Sequence, residues 1–200
     1  MSTHKVLGVI IDKDLSWQSH LVSLGKIVSK KVFQLSKIKH FLSEQSRKAF
    51  YHAHILSQID YASTLWDNTS DSNIQLIARL HKRAIKLILL KSSTLNVEDY
   101  NRVNILPLKD KLYLNKCVFM HMVVNGLVPP KIANNFTINP NRHNHKISFP
   151  RPRNNLFKSS LMFSGGSAWN NLPSYLKQIP MKFTFRKALK YHLLDNLKLP

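Results

Sequence analysis

Acidic residues are scarce in this sequence. Its 200 residues include ten Asp and Glu against 30 Lys and Arg, which gives a formal net charge of +20 and a pI near 10.2. Hydrolysis or nucleotide transfer with metal ions needs clustered carboxylates, but the acids here are mostly single residues. The one adjacent pair, Glu98-Asp99, lies in a predicted helix and is interpreted as first-turn charge. The composition therefore argues against a catalytic centre within these residues.

Cysteine and long apolar runs are equally sparse. Cys117 is the only cysteine, which excludes an internal disulfide and a cysteine-rich zinc site. Cys117 and His121 share a helix face at i, i+4, but no third ligand is nearby in sequence, so we predict no metal and no cofactor. No stretch approaches the roughly 18 apolar residues of a membrane span, and the N-terminus lacks a signal-peptide pattern. We expect no membrane association and an intracellular location, nuclear or cytoplasmic.

The surplus of cations favours a polyanionic partner. A free monomer with this charge repels itself, and nucleic acid is the usual partner that relieves such repulsion. A solvated basic surface without a partner is the alternative interpretation. Motifs of common enzyme classes, such as the P-loop, GxGxxG, HExxH and GxSxG, do not occur.

Apolar periodicity predicts three helices in residues 16–92, a candidate bundle. The first covers 16–42, the second begins at Ser43 as N-cap and runs to about Ser57, and the third covers about 73–90. On the third, basic residues at i, i+3, i+4 and i+7 form a continuous stripe: Arg79, Lys82, Arg83 and Lys86. On the first, Lys26, Lys30 and Lys37 lie opposite the apolar face.

The rest of the chain divides into four further segments. Residues 1–15 hold a strand, Val6 to Ile11, with Gly8 inside it. Residues 93–130 form a helical extension that ends at Gly126, 131–155 a loose basic segment, and 156–200 a strand followed by helices. The predicted fold is mainly α: a helical bundle, then a smaller helical C-terminal region with one or two short β elements.

Six short motifs occur in one order along nearly the whole chain. They are "KVLGVIIDKDLSWQSHL", "LHKRAIKLIL", "NILPLKDK", "NGLVPPKI", "FSGGSAWNNLPSYLK" and "FRKALKYHL". Together they resemble the thumb and C-terminal region of non-LTR (LINE-type, jockey-like) retrotransposon reverse transcriptases. In that family a strand carrying L-G-V closes the palm sheet, and L-S-W opens the thumb helices.

The resemblance implies a C-terminal part of an RNA-directed DNA polymerase that binds primer–template nucleic acid through basic helices. The nucleic-acid-binding residues would be Arg79, Lys82, Arg83 and Lys86 first, and Lys26, Lys30 and Lys37 second. Val6 to Ile11 would pair with palm strands. The family's catalytic carboxylates lie in the palm, upstream of the region matched here, so this chain is expected to be inactive by itself. Mg²⁺ is expected only for the complete polymerase, and the palm and fingers of the parent enzyme would be partners of this chain.

Two other interpretations stay open. A non-catalytic RNA- or DNA-binding protein could reuse this region, or the chain could be the product of a decayed element without a role. The sequence does not separate them, because Met1 is either a true start or a product of gene prediction.

The missing carboxylates lead to a prediction about activity. The purified chain should not extend a primer on a poly-A template with Mg²⁺ or Mn²⁺, since it lacks the family's aromatic-x-Asp-Asp carboxylates that would hold the metal ions. Primer extension followed on a denaturing gel measures this. Template-dependent product that persists through re-purification would contradict the prediction.

Overall fold

The computed structural model is mainly helical and contains two small antiparallel hairpins, as predicted for the fold class. It describes residues 3–141 and 144–197. Parts of three predicted segments, at residues 1–2, 142–143 and 198–200, lie outside the described residues. The described residues form two compact units, 3–109 and 110–196, with residue 197 grouped with the first. The division falls inside the predicted 93–130 extension.

The first unit contains a hairpin and a set of helices. Its elements are β1 Thr3–Val6, β2 Val9–Asp12, α1 Gln18–Ile38, a 3₁₀ turn Lys39–Phe41, α2 Glu44–Phe50, a π-helical turn Tyr51–Leu56, α3 Ser57–Asp60, α4 Ser63–Trp66, α5 Asp71–Leu89 and α6 Val97–Val103. The predicted helices at 16–42, 43–57 and 73–90 are therefore present. Ser43 caps α2, accepting a hydrogen bond from the Ser46 N–H at 3.1 Å.

The prediction of one strand from Val6 to Ile11 is wrong. Leu7 and Gly8 both have positive φ, 46° and 85°, and reverse the chain in a two-residue turn. Val6 consequently pairs with Val9, and Thr3 with Asp12. The strand finds a partner within the chain, in the few residues that precede it, because Gly8 allows this turn at little steric cost.

Asp12 joins the hairpin to α1. Its buried carboxylate accepts hydrogen bonds from the backbone N–H groups of Asp14, Ser16 and Trp17 at 3.2, 2.9 and 3.0 Å, and from the Ser16 hydroxyl at 3.1 Å. These donors, with the Ser16 N–H first, hold the pKa of Asp12 below its usual value. One side chain thus fixes the direction in which α1 leaves the hairpin.

The core of the first unit lies between α1 and α5. Leu21, Leu24, Val28, Val32 and Leu35 of α1 are all buried, as their spacing predicts. Gly25 lies where α5 crosses α1: a Cβ there would be 3.1 Å from Leu76 Cδ2.

A buried arginine ties the helix ends of this unit together. Arg47 of α2 donates from Nε to the Ile88 carbonyl near the C-terminus of α5 at 2.8 Å. Its Nη1 donates to the Lys39 and Leu42 carbonyls at 3.0 and 2.5 Å. Carbonyls at helix ends have no partner within the helix, so one guanidinium satisfies groups that burial would otherwise leave without a donor.

The second unit combines a hairpin with helices of 4 to 17 residues. Helix α7 spans Leu108–Val124 and belongs to this unit from Asp110 onward. The other elements are α8 Pro130–Ala133, β3 Thr137–Asn141, β4 Asn144–Ser148, α9 Asn155–Ser159, α10 Leu161–Asn170, α11 Ser174–Lys177 and α12 Lys182–Asp195. α7 ends as predicted at Gly126, with φ 67°, where the N–H groups of Gly126 and Leu127 bond to the Val123 and Met122 carbonyls.

Two predictions fail in this unit. The loose segment 131–155 contains α8 and the β3–β4 hairpin. The predicted strand at 156–163 is helical instead, since Asn154 and Ser160 each cap a helix there by accepting a backbone N–H. α10 continues through Gly165 and Gly166 because both glycines are buried at close contacts.

Gly166 generates a prediction about stability. A Cβ on Gly166 would lie 2.8 and 2.9 Å from ring atoms of Phe149. Although Ala favours a helix over Gly by about 1 kcal/mol, overpacking costs about 1–3 kcal/mol. Gly166→Ala should therefore lower the free energy of unfolding measured by urea denaturation.

Gly25→Ala is the matched control for that substitution. Its nearest neighbour is the end of the Leu76 side chain, which is 39% exposed and can move aside. The free energy of unfolding should stay constant or rise. If both variants change stability equally, the rigid contact with Phe149 is not the cause.

Asp12 generates a prediction about pH. Because its pKa is lowered in the folded state, its contribution to stability is present above about pH 4 and is lost as the pH falls below that value. Asp12→Asn should unfold at lower urea concentration than the wild type at pH 7, and the difference should shrink at pH 3. Asp14→Asn, an exposed acid two residues away, is the control, and an equal loss in that variant would contradict a specific role for Asp12.

Candidate nucleic-acid interface

α5 has two chemically distinct sides. Ile74, Ile77, Ala84, Ile85 and Ile88 are buried, together with His81. On the other side Arg79, Lys82 and Arg83 are exposed and Lys86 is half-buried. The hydrophobic face fixes the rotation of the helix, so the predicted basic stripe faces outward by necessity.

A buried polar contact strengthens that orientation. The hydroxyl of Tyr51 and Nε2 of His81 are 2.7 Å apart and share a hydrogen bond, and both residues are fully buried. Burial raises the pKa of Tyr51 well above its usual value, so the phenol stays protonated. A hydrogen bond inside the core has strict geometry, and it holds α5 in one register against the π-helical turn.

The chain then folds back along the basic side of α5. Leu90 ends the helix in the left-handed conformation, with φ 53°, and the Lys91 N–H bonds to the Lys86 carbonyl at 2.9 Å. Lys86 Nζ in turn donates to the Ser92 carbonyl at 3.3 Å. These contacts place residues 91–96 beside the basic stripe.

α6 begins with reciprocal capping that fixes its position. The side chain of Asn96 accepts the Asp99 N–H at 2.9 Å, and Asp99 accepts the Asn96 N–H at 2.8 Å. Asp99 also pairs with Lys91 at 2.5 Å, and this hydrogen bond is the main reason its pKa is lowered. Glu98 and Asp99 are first-turn residues, as predicted.

Together these elements enclose a cavity of about 360 Å³. Its lining consists of Arg79, Lys82, Arg83, Lys86, Thr94, Leu95 and Tyr100. The structure thus brings all four first-choice residues to one concave site. No carboxylate belongs to this described lining, and the nearby Asp99 already has a cation partner in Lys91. The site combines a cationic wall with an apolar floor, which suits an anionic ligand.

The second group of predicted residues lies elsewhere. Lys26, Lys30 and Lys37 are all exposed on α1, and none of them lines the cavity. Lys37 Nζ lies 5.1 Å from the centre of the Phe33 ring, a cation–π contact on the surface. These residues remain a separate basic face of the first unit.

His121 and Trp169 of the second unit belong to its core. His121 donates from Nε2 to the Ile179 carbonyl at 2.8 Å and stacks on Phe185 with ring centres 4.5 Å apart. Trp169 is fully buried beside both rings.

Within residues 3–141 and 144–197, no group of three or more His, Cys, Asp and Glu side chains could hold a metal ion.

Sequence reasoning missed the far wall of the cavity. Thr94, Leu95 and Tyr100 come from the connection and helix that were assigned to a separate extension. The start of α6 itself was predicted, since Glu98 and Asp99 were placed in its first turn. Nothing in the pattern indicates that Tyr100 packs beside α5.

Comparisons with protein-family models, curated proteins and solved structures gave no match. Across the part of the chain that the structure describes, no helix combines the length and apolar character that a bilayer crossing requires.

Proposed function

We propose that this chain serves as the thumb and C-terminal region of a non-LTR retrotransposon RNA-directed DNA polymerase, and that it holds primer–template duplex by its phosphate backbone. The cavity beside α5 carries this proposal. Four cations selected from the sequence line one concave surface with no carboxylate in its described lining. The six motifs in order support the assignment to this family.

The dimensions of the basic stripe match a duplex backbone. Arg79 and Lys86 are seven residues apart, which is about 10 Å along a helix. One strand of a duplex presents a phosphate about every 3.4 Å of axis, so this length faces about three phosphates. Guanidinium groups bind phosphate oxygens through two parallel N–H donors, whereas Lys acts as a point charge. Such contacts position a duplex without reading its sequence.

The rigidity of the site suits a positioning role. Arg79, Lys82 and Arg83 project from a helix whose opposite face is buried in the core. Lys86 contributes differently, because its ammonium also bonds to the Ser92 carbonyl. In this proposal, palm carboxylates of the kind found in the family would carry out nucleotide transfer. The residues of this chain would hold the duplex in place.

The proposal predicts a salt-dependent effect of three substitutions. Arg79→Gln, Lys82→Gln and Arg83→Gln together keep helix propensity nearly constant and leave the Lys86–Ser92 contact in place. The log–log dependence of duplex affinity on salt should become shallower by about 0.9 per lost phosphate contact, or roughly 2.7 in total on B-DNA. Fluorescence anisotropy with a labelled duplex over a salt series measures the slope.

A matched variant controls for bulk charge. Lys146, Arg151 and Arg153 are exposed residues of the second unit, and replacing them by Gln removes the same three charges. This variant should keep most of the wild-type slope, and circular dichroism checks that both variants fold. If the two triple variants weaken duplex binding equally, the cavity has no special role and only a diffuse attraction remains.

A further inference from the structure

The second unit carries a larger imbalance of charge than the first. Residues 110–196 contain 13 Lys and Arg, while their only acids are Asp110 and Asp195. Burial raises the pKa of Asp110, which weakens its value as a counter-charge. The cavity beside α5 does not account for this charge, because it belongs to the first unit.

One helix of this unit exposes aromatic rings among cations. In α12, Phe185 and Leu189 are fully buried, whereas Phe183 is 76% exposed and Tyr191 is 46% exposed. At 100° per residue, Phe183, Lys187 and Tyr191 share one face at i, i+4 and i+8. Arg186 and Lys190 flank them on the same side. These five residues form what we call the α12 face.

Two cations of the α12 face, Arg186 and Lys190, lie close enough for their charges to repel each other. The pKa of Lys190 is lowered, first by burial and then by the nearby charges of Lys111 and Arg186. No acid occurs in α12 before Asp195. A bound anion would relieve this repulsion, and exposed rings beside it offer flat surfaces for stacking.

We propose that the α12 face binds single-stranded nucleic acid, with Phe183 and Tyr191 stacking on bases while Arg186, Lys187 and Lys190 contact the backbone. Unpaired bases expose their ring faces and stack on aromatic side chains, which a duplex does not permit. The two rings are about 12 Å apart along the helix.

The distribution of apolar groups favours nucleic acid over an anionic membrane. An interfacial helix inserts a continuous apolar face into the headgroup region. In α12 that continuous face is already in the core, since Phe185, Leu189 and Leu194 are buried. On the exposed side a cation separates the two rings.

Ring removal in the full chain tests this proposal. The Phe183→Ala, Tyr191→Ala double variant should bind labelled oligouridine about 25-fold more weakly, since each stacked base contributes a factor of about five or more. Its affinity for a blunt duplex should stay unchanged. Tyr175→Ala is the control: Tyr175 is 57% exposed, and its hydroxyl is 2.8 Å from Nδ1 of His192, which lies on the opposite side of α12 from Phe183. This variant should bind oligouridine like the wild type.

A fluorescent ring distinguishes stacking from electrostatic attraction. Tryptophan emission of the Phe183→Trp variant should be quenched by oligouridine beyond the change seen in the wild type. The effect should persist when Arg79, Lys82 and Arg83 are also replaced by Gln, which separates this site from the cavity beside α5. Wild-type oligouridine affinity in the double variant, or absent quenching, would overturn the proposal. So would a blue shift with phosphatidylserine vesicles that is not matched by quenching with oligouridine.

Discussion

The packing of α1 against α5 determines what the first unit can present to a partner. α5 must turn its apolar side toward α1, and Gly25 permits a close approach at the point of contact with Leu76. The hydrogen bond between Tyr51 and His81 then fixes the rotation of the helix within the core. The cations of α5 are left on the outer side, in rigid positions. Outward-facing cations in rigid positions suit an interface that recognises phosphates. A flexible segment would lose more conformational entropy when it became ordered on binding.

Electrostatic repulsion is the second constraint, and the two units meet it differently. In the first unit Glu44 pairs with Lys48 and Arg102, and Asp99 pairs with Lys91. In the second unit neutral oxygens take part of this role: Lys177 Nζ donates to the Asn170 carbonyl at 2.8 Å. A neutral acceptor satisfies a donor but does not cancel its charge. The second unit consequently keeps a stronger positive field, which attracts polyanions over a distance set by the ionic strength.

The sequence predicted the parts of the fold that depend on local periodicity. The buried positions of α1, the Ser43 cap and the end of α7 at Gly126 follow from patterns within a few residues. The errors come from tertiary contacts. The segment predicted as a strand at 156–163 is helical, and α10 continues through Gly165 and Gly166, where a Cβ would meet a neighbouring side chain within 3.0 Å. The cationic wall of the cavity was predictable from the local periodicity of α5. Its far wall was not, because it depends on how α6 packs beside α5.

The N-terminal hairpin leaves the second edge of β2 without a neighbouring strand among the described residues. β1 occupies one edge of β2, so the strand is not without a partner. On β2, the Ile10 N–H donates to Nδ1 of the buried His20 at 3.4 Å, which is long for a hydrogen bond. Burial lowers the pKa of His20 and keeps the ring neutral, as an acceptor must be. A further strand at the second edge of β2 would displace only the weak hydrogen bond between Ile10 and His20. A strand that paired in place of β1 would have to break the whole hairpin.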